Sequence, residues 1–182
     1  MIEILKKRRS VRKYKKIEIE DEKIDLLVQA ALLSPTSRNL QPWEFVAVTD
    51  RDILEKLSHS KEDGSGFLKN APLGIVVTAD PDKSDVWVED ASIASIIIQL
   101  TAESVGLSSC WIQIRKRMHN NSVTAEQYVR NILNIPENRD VESIIAVGYS
   151  DETARARTGK NLKYEKVSLN RYGEAFQGID HG

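Results

Sequence analysis

SPTSRNLQPW, residues 34–43, interrupts the chain between an apolar helical run and the strand-like sequence EFVAV at residues 44–48. Pro35 and Pro42 restrict the backbone on both sides of the interruption, and the hydroxyl and amide side chains between them are too polar for a core. The stretch therefore predicts a constrained loop at a helix-to-strand junction. Its Ser, Thr, Asn and Gln side chains would face a polar ligand.

Upstream of this loop lies a basic run, KKRRSVRKYKK at residues 6–16. It has three interpretations: a solvated face, a nucleic-acid or targeting patch, or a clamp for an anionic ligand. The acids at residues 18, 20, 21 and 22 and a net charge of −1 argue against nucleic acid. Arginine suits a phosphate clamp because its planar fork pairs two phosphate oxygens at once.

The hydrophobic pattern alternates between helical spacing and short apolar or β-branched runs. No regular βαβ rhythm is present, so the sequence predicts an α+β fold with a small mixed or antiparallel sheet flanked by helices. The predicted helices are Ile2–Arg9, Asp21–Leu33, Asp50–Ser58, Trp87–Val105 and Thr124–Leu133, and the predicted strands are Glu44–Thr49, Leu73–Ala79, Ser109–Ile114 and Val141–Tyr149.

The longest predicted helix, Trp87–Val105, carries apolar residues on more than one face. A helix of that kind must be buried on most sides. In a chain of 182 residues we expect a long central helix that packs partly against another subunit, with Gly106 as its C-cap.

The length of 182 residues suits one domain spanning residues 1–182. From about residue 153 onward the sequence is polar and irregular, which predicts a C-terminal extension packed on the partner subunit. Cys110 is the only cysteine, and no apolar run is long enough to span a bilayer. We therefore expect a cytoplasmic protein with no nucleic-acid or membrane partner. The three histidines lack metal-ligand spacing, so no metal site is predicted.

Five motifs occur in one order along residues 4–150, and together the chain resembles the FMN-dependent nitroreductase family. The motifs are RRSVR at 8–12, SPTSRNLQPWEF at 34–45, DASIA at 90–94, GLSSCWI at 106–112 and IIAVGY at 144–149. The resemblance implies a nitroreductase-like fold, a homodimer and FMN as cofactor. NAD(P)H would be the co-substrate.

The resemblance also implies a role for particular residues, which together form the predicted FMN site. Positions matching Arg8 and Ser10 contact the phosphate and ribityl chain, and Arg12 places positive charge beside flavin N1, where a reduced flavin is anionic. Near Ile112 and Gln113 a backbone N–H approaches flavin N5, although Gln113 and Ile114 replace the usual glycines. The complete predicted set is Arg8, Arg9, Ser10, Arg12, Pro35, Thr36, Ser37, Asn39, Ile112, Gln113, Arg157 and Lys160.

Two groups of predicted site residues lie far in sequence from the basic run: the loop after the second helix and the C-terminal region. The loop residues Pro35, Thr36, Ser37 and Asn39 would approach the FMN that is held mainly by the other subunit. A second phosphate contact would come from the C-terminal region, for which Arg155, Arg157 and Lys160 are the candidates.

The implied function is an FMN-dependent oxidoreductase that passes a hydride from NAD(P)H through flavin N5 to a nitroaromatic, quinone or similar acceptor. This ping-pong chemistry is carried by the cofactor, so no catalytic side chain is predicted. The alternative is a flavin-binding sensor or carrier without NAD(P)H turnover.

Overall fold

The computed structural model describes residues 1–159 and 162–176, which form one α+β unit around a four-stranded sheet. The helices are α1 (Ile2–Lys7), α2 (Asp21–Leu32), α3 (Arg51–Ser58), α4 (Trp87–Ser104) and α5 (Ala125–Leu133), and the strands are β1 (Trp43–Val48), β2 (Leu73–Ala79), β3 (Ser108–Gln113) and β4 (Asp140–Gly148). Short 3₁₀ turns cover Ser37–Asn39, Gly66–Asn70 and Tyr164–Lys166.

The sheet has the strand order β1-β2-β4-β3, and every neighbouring pair is antiparallel. The α+β prediction is confirmed, and the sheet is antiparallel throughout. Strands β2 and β4 occupy the centre, where their residues are buried on both faces. This position explains their nearly continuous apolar sequences, which lack the alternation of a half-exposed strand.

Capping residues set several helix boundaries one residue inside the predicted limits. Asp50 accepts a hydrogen bond from the Ile53 N–H at 2.9 Å, and Thr124 Oγ1 accepts one from the Gln127 N–H at 3.1 Å. Gly106, with φ of +80°, turns the chain from α4 toward β3. Asp50 and Thr124 bond backbone N–H groups that have no partner within the helix, and Gly106 lets the chain leave α4.

The core has two parts, one on each face of the sheet. One part packs α3, α5 and the segment after α1 against the sheet, with Val11 and Tyr14 buried in it. The other part packs α2 and α4 against the opposite face. Within the described ranges, no helix combines the length and apolar character that crossing a bilayer requires.

Helix α4 buries the polar Ser95 and Gln99 together with Ala91, Ala94, Ile98 and Ala102, and it leaves other apolar residues on its outer side. Ser95 and Gln99 are buried, and Ser95 Oγ lies 3.0 Å from Ser143 Oγ on β4. Ile93 is 39% exposed, and Ile97 on the same face is half-buried. An apolar face of this kind on the outer side of a central helix is typical of a subunit interface.

Candidate functional site

The site begins where the segment after α1 runs beside the edge strand β3. Ser10 and Ser109 form a parallel bridge, and the Val11 N–H donates to the Ser109 carbonyl at 3.1 Å. The segment then leaves the strand, because the Arg12 N–H donates to Glu152 Oε1 at 2.6 Å. The basic run is therefore a fixed structural element beside the sheet.

Beyond this departure the edge of β3 is open. The Ile114 N–H donates to the Glu142 carbonyl on β4, so in the antiparallel register residues 110, 112 and 114 point their backbone groups toward β4. The backbone N–H groups of Trp111 and Gln113 consequently point away from the sheet. Among residues 1–159 and 162–176 they have no backbone partner. Ile112, in contrast, pairs with Ile144 and buries its side chain completely.

The replacement of the usual glycines by Gln113 and Ile114 leaves this edge accessible. The Gln113 side chain accepts from Trp111 Nε1 at 2.9 Å and donates to Glu142 Oε1 at 3.3 Å. Ile114 is fully buried in the core. Both side chains are thus held within the fold, and the Gln113 N–H remains available to a ligand.

A cluster of cations surrounds the same edge. Burial raises the pKa of the Cys110 thiol, and the positive charges of Arg12, Arg8 and Lys61 and the nearby Ser10 hydroxyl oppose that rise only in part. Cys110 therefore stays protonated at neutral pH and serves as a packing residue.

Lys61 is a member of this cluster that the sequence analysis missed. Burial lowers the pKa of its ammonium group, and the neighbouring charges of Arg117 and Arg12 lower it further. Phe67 lies in the same region, with its ring centroid 5.8 Å from the Arg12 guanidinium carbon. Neither residue belongs to a recognisable motif, so only the folding of residues 59–70 against the basic segment reveals them.

Arg9 differs from its neighbours because its side chain binds the protein itself. Its Nε donates to the Arg155 carbonyl at 2.9 Å, and one Nη donates to the Lys6 carbonyl at 2.8 Å. The Arg157 N–H also donates to the Lys6 carbonyl, at 2.9 Å. These bonds bring Arg157 next to the basic segment, whereas Lys160 lies outside the described residues. For Arg9 to contact a phosphate, its bonds to the carbonyls would have to break.

The loop at residues 34–43 is anchored to α4 by a buried carboxylate. Asp90 is 2% exposed, and its Oδ1 accepts from the Ser37 N–H at 2.8 Å while its Oδ2 accepts from Ser84 Oγ at 3.0 Å. Thr36 Oγ1 accepts from the Gln41 N–H at 3.0 Å. The left-handed backbone of Asn39, with φ of +54°, completes the tight turn. Pro35 is exposed beside it.

Replacing Asp90 by alanine should loosen this loop. The change leaves the Ser37 N–H and the Ser84 hydroxyl without their acceptor, and we expect a loss of about 2–3 kcal/mol in the free energy of unfolding. Chemical denaturation measures this loss. Asp90→Asn keeps one acceptor oxygen and should lose less. Equal stability of Asp90→Ala and the unmodified protein would contradict the anchoring role.

The loop and the basic segment lie far apart within one chain. Lys7, next to Arg8, pairs with Glu103 near the end of α4 at 3.4 Å, whereas Ser37 is held by Asp90 near its beginning. Asp90 and Glu103 are 13 positions apart in the helix, a distance of about 20 Å along the axis. The two halves of the predicted site therefore face different regions of the subunit.

Behind Gln113 lies the buried carboxyl group of Glu142. Glu142 is 4% exposed, its Oε2 has no hydrogen-bond partner among the described residues, and Arg115 Nε is 3.9 Å away. Burial raises the pKa of this carboxyl group, and the Gln113 hydrogen bond and the Arg115 charge compensate only in part. The charged form is therefore disfavoured in the folded chain.

The raised pKa of Glu142 predicts a pH-dependent effect of Glu142→Gln. Below the ordinary glutamate pKa of 4.5 the carboxyl group is neutral in both folded and unfolded chains, so the variant should change little. As pH rises above it, the unfolded chain ionises more readily, which destabilises only the unmodified protein. We expect the variant to melt higher at pH 7, by on the order of 2–4 °C.

Calorimetry from pH 4 to pH 8 measures this trend. Glu137→Gln, which alters an exposed carboxylate, is the matched control and should show no trend. A variant that melts lower than the unmodified protein at pH 7 would mean that the Arg115 attraction outweighs burial.

Comparison with known proteins identifies the family. The model of the Nitroreductase family matches residues 5–64 and 59–149, and the chain belongs to this family. A putative NADH dehydrogenase/NAD(P)H nitroreductase from Archaeoglobus fulgidus is 40% identical over 146 residues, which cover 78% of this chain and 80% of that protein. A protein of the same description from Methanothermobacter thermautotrophicus is 34% identical over 160 residues, covering 86% and 81%.

Solved structures show the same relationship. An FMN-dependent nitroreductase from Clostridium difficile is 51% identical, covers 94% of this chain and 100% of its own, and superposes with a TM-score of 0.93. A putative NADH dehydrogenase/NAD(P)H nitroreductase from Parabacteroides distasonis is 32% identical, covers 94% and 98%, and has a TM-score of 0.85. The nitroreductase-like fold predicted from the motifs is confirmed.

The described part of the chain contains no group of three or more His, Cys, Asp or Glu side chains arranged to hold a metal ion.

Proposed function

We propose that this chain is an NAD(P)H-dependent FMN oxidoreductase that reduces a nitroaromatic, quinone or similar flat acceptor. The observation that carries the proposal is the open edge of β3, where the outward-pointing Gln113 N–H lies on a strand flanked by Arg12 and Lys61. A backbone donor and adjacent cations match a planar heterocycle that gains negative charge on reduction. The names of the nitroreductase relatives support the same cofactor and co-substrate.

Different residues of this chain would contact different parts of FMN. Arg8 and Ser10 would bind the phosphate and ribityl hydroxyls, and Arg157, held beside α1, would give the second phosphate contact. Arg12 and Lys61 would place positive charge on the pyrimidine side of the ring, and the Gln113 N–H would donate to the ring edge. When bound, FMN would supply the redox chemistry, namely hydride exchange with NAD(P)H and electron transfer to the acceptor.

The protein contributes orientation and charge to this chemistry. Hydrogen bonding by Glu152 fixes the backbone at Arg12, and hydrogen bonds to Trp111 and Glu142 hold the Gln113 side chain. The geometry of the donors is therefore set before a ligand binds, which lowers the cost of reorganisation during the reaction. No side chain is required as a general acid or base.

The functional unit in this proposal is a homodimer. The outward apolar face of α4 at Ile93 and Ile97 supports it, as do the exposed Ile2 and Leu5 of α1. The tail from residue 151 to 176, where described, is exposed throughout and would cover the partner. The loop and the basic segment are about 20 Å apart along α4, so they would contribute to different FMN sites. Loop residues Pro35, Thr36, Ser37 and Asn39 would complete the FMN site of the other subunit.

The single buried thiol supports a cytoplasmic location.

Spectroscopy under exclusion of oxygen tests the proposal. The purified protein is reconstituted with excess FMN, desalted and mixed with NADPH or NADH, and we expect a retained flavin band that bleaches. Riboflavin, which lacks the phosphate, is the matched ligand control and should be lost on desalting. Retained FMN that neither nicotinamide reduces would favour a sensor or carrier, and a folded protein that retains no FMN would refute the assigned site.

A further inference from the structure

A basic cavity lies beside the basic segment, outside the open edge of β3. It has a volume of about 530 Å³ and lies between the segment after Arg12, the beginning of α3 and the end of the 3₁₀ turn Gly66–Asn70. Five cationic side chains and one carboxylate line it: Arg12, Lys13, Lys16, Arg51, Lys69 and Asp151.

The charge of this cavity is mostly uncompensated. Within the described ranges, Lys13, Lys16 and Arg51 form no ion pair, and Lys69 has only Glu55, at 3.9 Å and on the exposed surface. The Asp151 carboxylate is the one acid in the lining, and it also has no ion-pair partner among the described residues. Such a concentration of positive charge in a concave site attracts a multiply charged anion.

The framework of the cavity is ordered by main-chain bonds. The Asp151 N–H donates to the Lys13 carbonyl at 2.9 Å, and an Arg51 Nη donates to the Ala71 carbonyl at 3.4 Å. Tyr14, which is mostly buried, also lines the cavity, and its hydroxyl donates to the Val11 carbonyl at 2.6 Å. The lysine side chains thus extend from a rigid base, which reduces the entropy lost when they bind a ligand.

We infer that this cavity binds the 2′-phosphate of NADPH, and that the chain therefore prefers NADPH to NADH. The inference rests on the proposed function. Arg12 belongs both to the cation cluster at the open edge and to the lining of the cavity, so the two sites adjoin. A nicotinamide stacked on the flavin at the open edge leaves the adenosine end of the dinucleotide to extend over the neighbouring surface. A phosphomonoester dianion is the group that distinguishes NADPH from NADH, and the cavity offers it several cations.

Steady-state kinetics of a charge-neutralised variant provide the first test. Lys16→Gln combined with Lys69→Gln removes two lining charges that have no main-chain bonds, and Lys56→Gln on the exposed face of α3 is the matched control. We expect kcat/KM for NADPH to fall about tenfold in the double variant, mainly through KM. The value for NADH should change less than about twofold. Equal changes for both nicotinamides would overturn the inference, while NADH turnover would leave the proposed function intact.

A binding measurement separates the inference from catalysis. Isothermal titration of the FMN-loaded protein with 2′,5′-ADP and with 5′-ADP, at low salt, should show tighter binding of 2′,5′-ADP. The double variant should lose this difference, and Lys56→Gln should keep it. Equal affinity for the two nucleotides, or no binding of either, would overturn the inference even if NAD(P)H reduces the flavin.

Discussion

An Arg12→Ala variant is expected to fold normally, to bind FMN more weakly and to be reduced more slowly by NAD(P)H. The backbone at this position is held by the bond from the Arg12 N–H to Glu152, which alanine preserves. What the variant loses is the guanidinium that lies over Phe67 and acts on Cys110. In the proposed site this charge stabilises the anionic reduced ring more than the neutral oxidised ring.

The size of the Arg12 effect follows from the strength of charge-assisted contacts. A loss of about 1.5–3 kcal/mol in the reduced state corresponds to a fall of about 30–60 mV in the two-electron potential of the flavin. Equilibration with a reference dye under exclusion of oxygen measures this potential. Arg12→Lys keeps a positive charge, so its potential should fall less than that of Arg12→Ala. Lys15→Ala changes an exposed neighbour and is the matched surface control.

An unchanged potential in a folded, FMN-loaded Arg12→Ala protein would exclude Arg12 from this role. The most direct explanation would then be that Lys61, another cation of the cluster, supplies the charge. A Lys61→Ala variant decides that question, because a fall in its flavin potential would assign the charge to Lys61.

An Ile93→Asp variant is expected to convert a dimer into monomers and to lose FMN at the same time. Ile93 is 39% exposed on the outer face of α4. A carboxylate buried there at a subunit interface would lack a partner, which costs several kcal/mol. Because each 1.4 kcal/mol is a tenfold change, self-association should weaken by at least about a thousandfold.

Sedimentation velocity combined with flavin absorbance measures both consequences. Asn131→Asp on the exposed surface of α5, on the opposite face of the sheet, is the matched control and should remain dimeric with FMN bound. Circular dichroism identifies a variant that has simply unfolded. A folded Ile93→Asp monomer that keeps its FMN would show that the loop of the partner is unnecessary, and a dimeric Ile93→Asp protein would place the interface elsewhere.

Much of the fold was determined by the sequence itself. Apolar periodicity located the five α-helices and four strands of the described residues, and Asp50, Thr124 and Gly106 marked helix ends because capping is a local interaction. The ordered motifs also identified the family. These features depend on residues that are near each other in the chain, so they are visible without three-dimensional coordinates.

The environment of each proposed site residue was determined only by the tertiary structure. Arg8, Arg9 and Arg12 are indistinguishable as sequence letters, yet Arg9 donates to carbonyls of the chain whereas Arg12 lies over Phe67. Gln113 could have obstructed the edge, and its bonds to Trp111 and Glu142 hold it inside. The sequence by itself thus determined which elements form, because that choice is local. Which donors and cations remain available to a ligand was decided by contacts between distant segments.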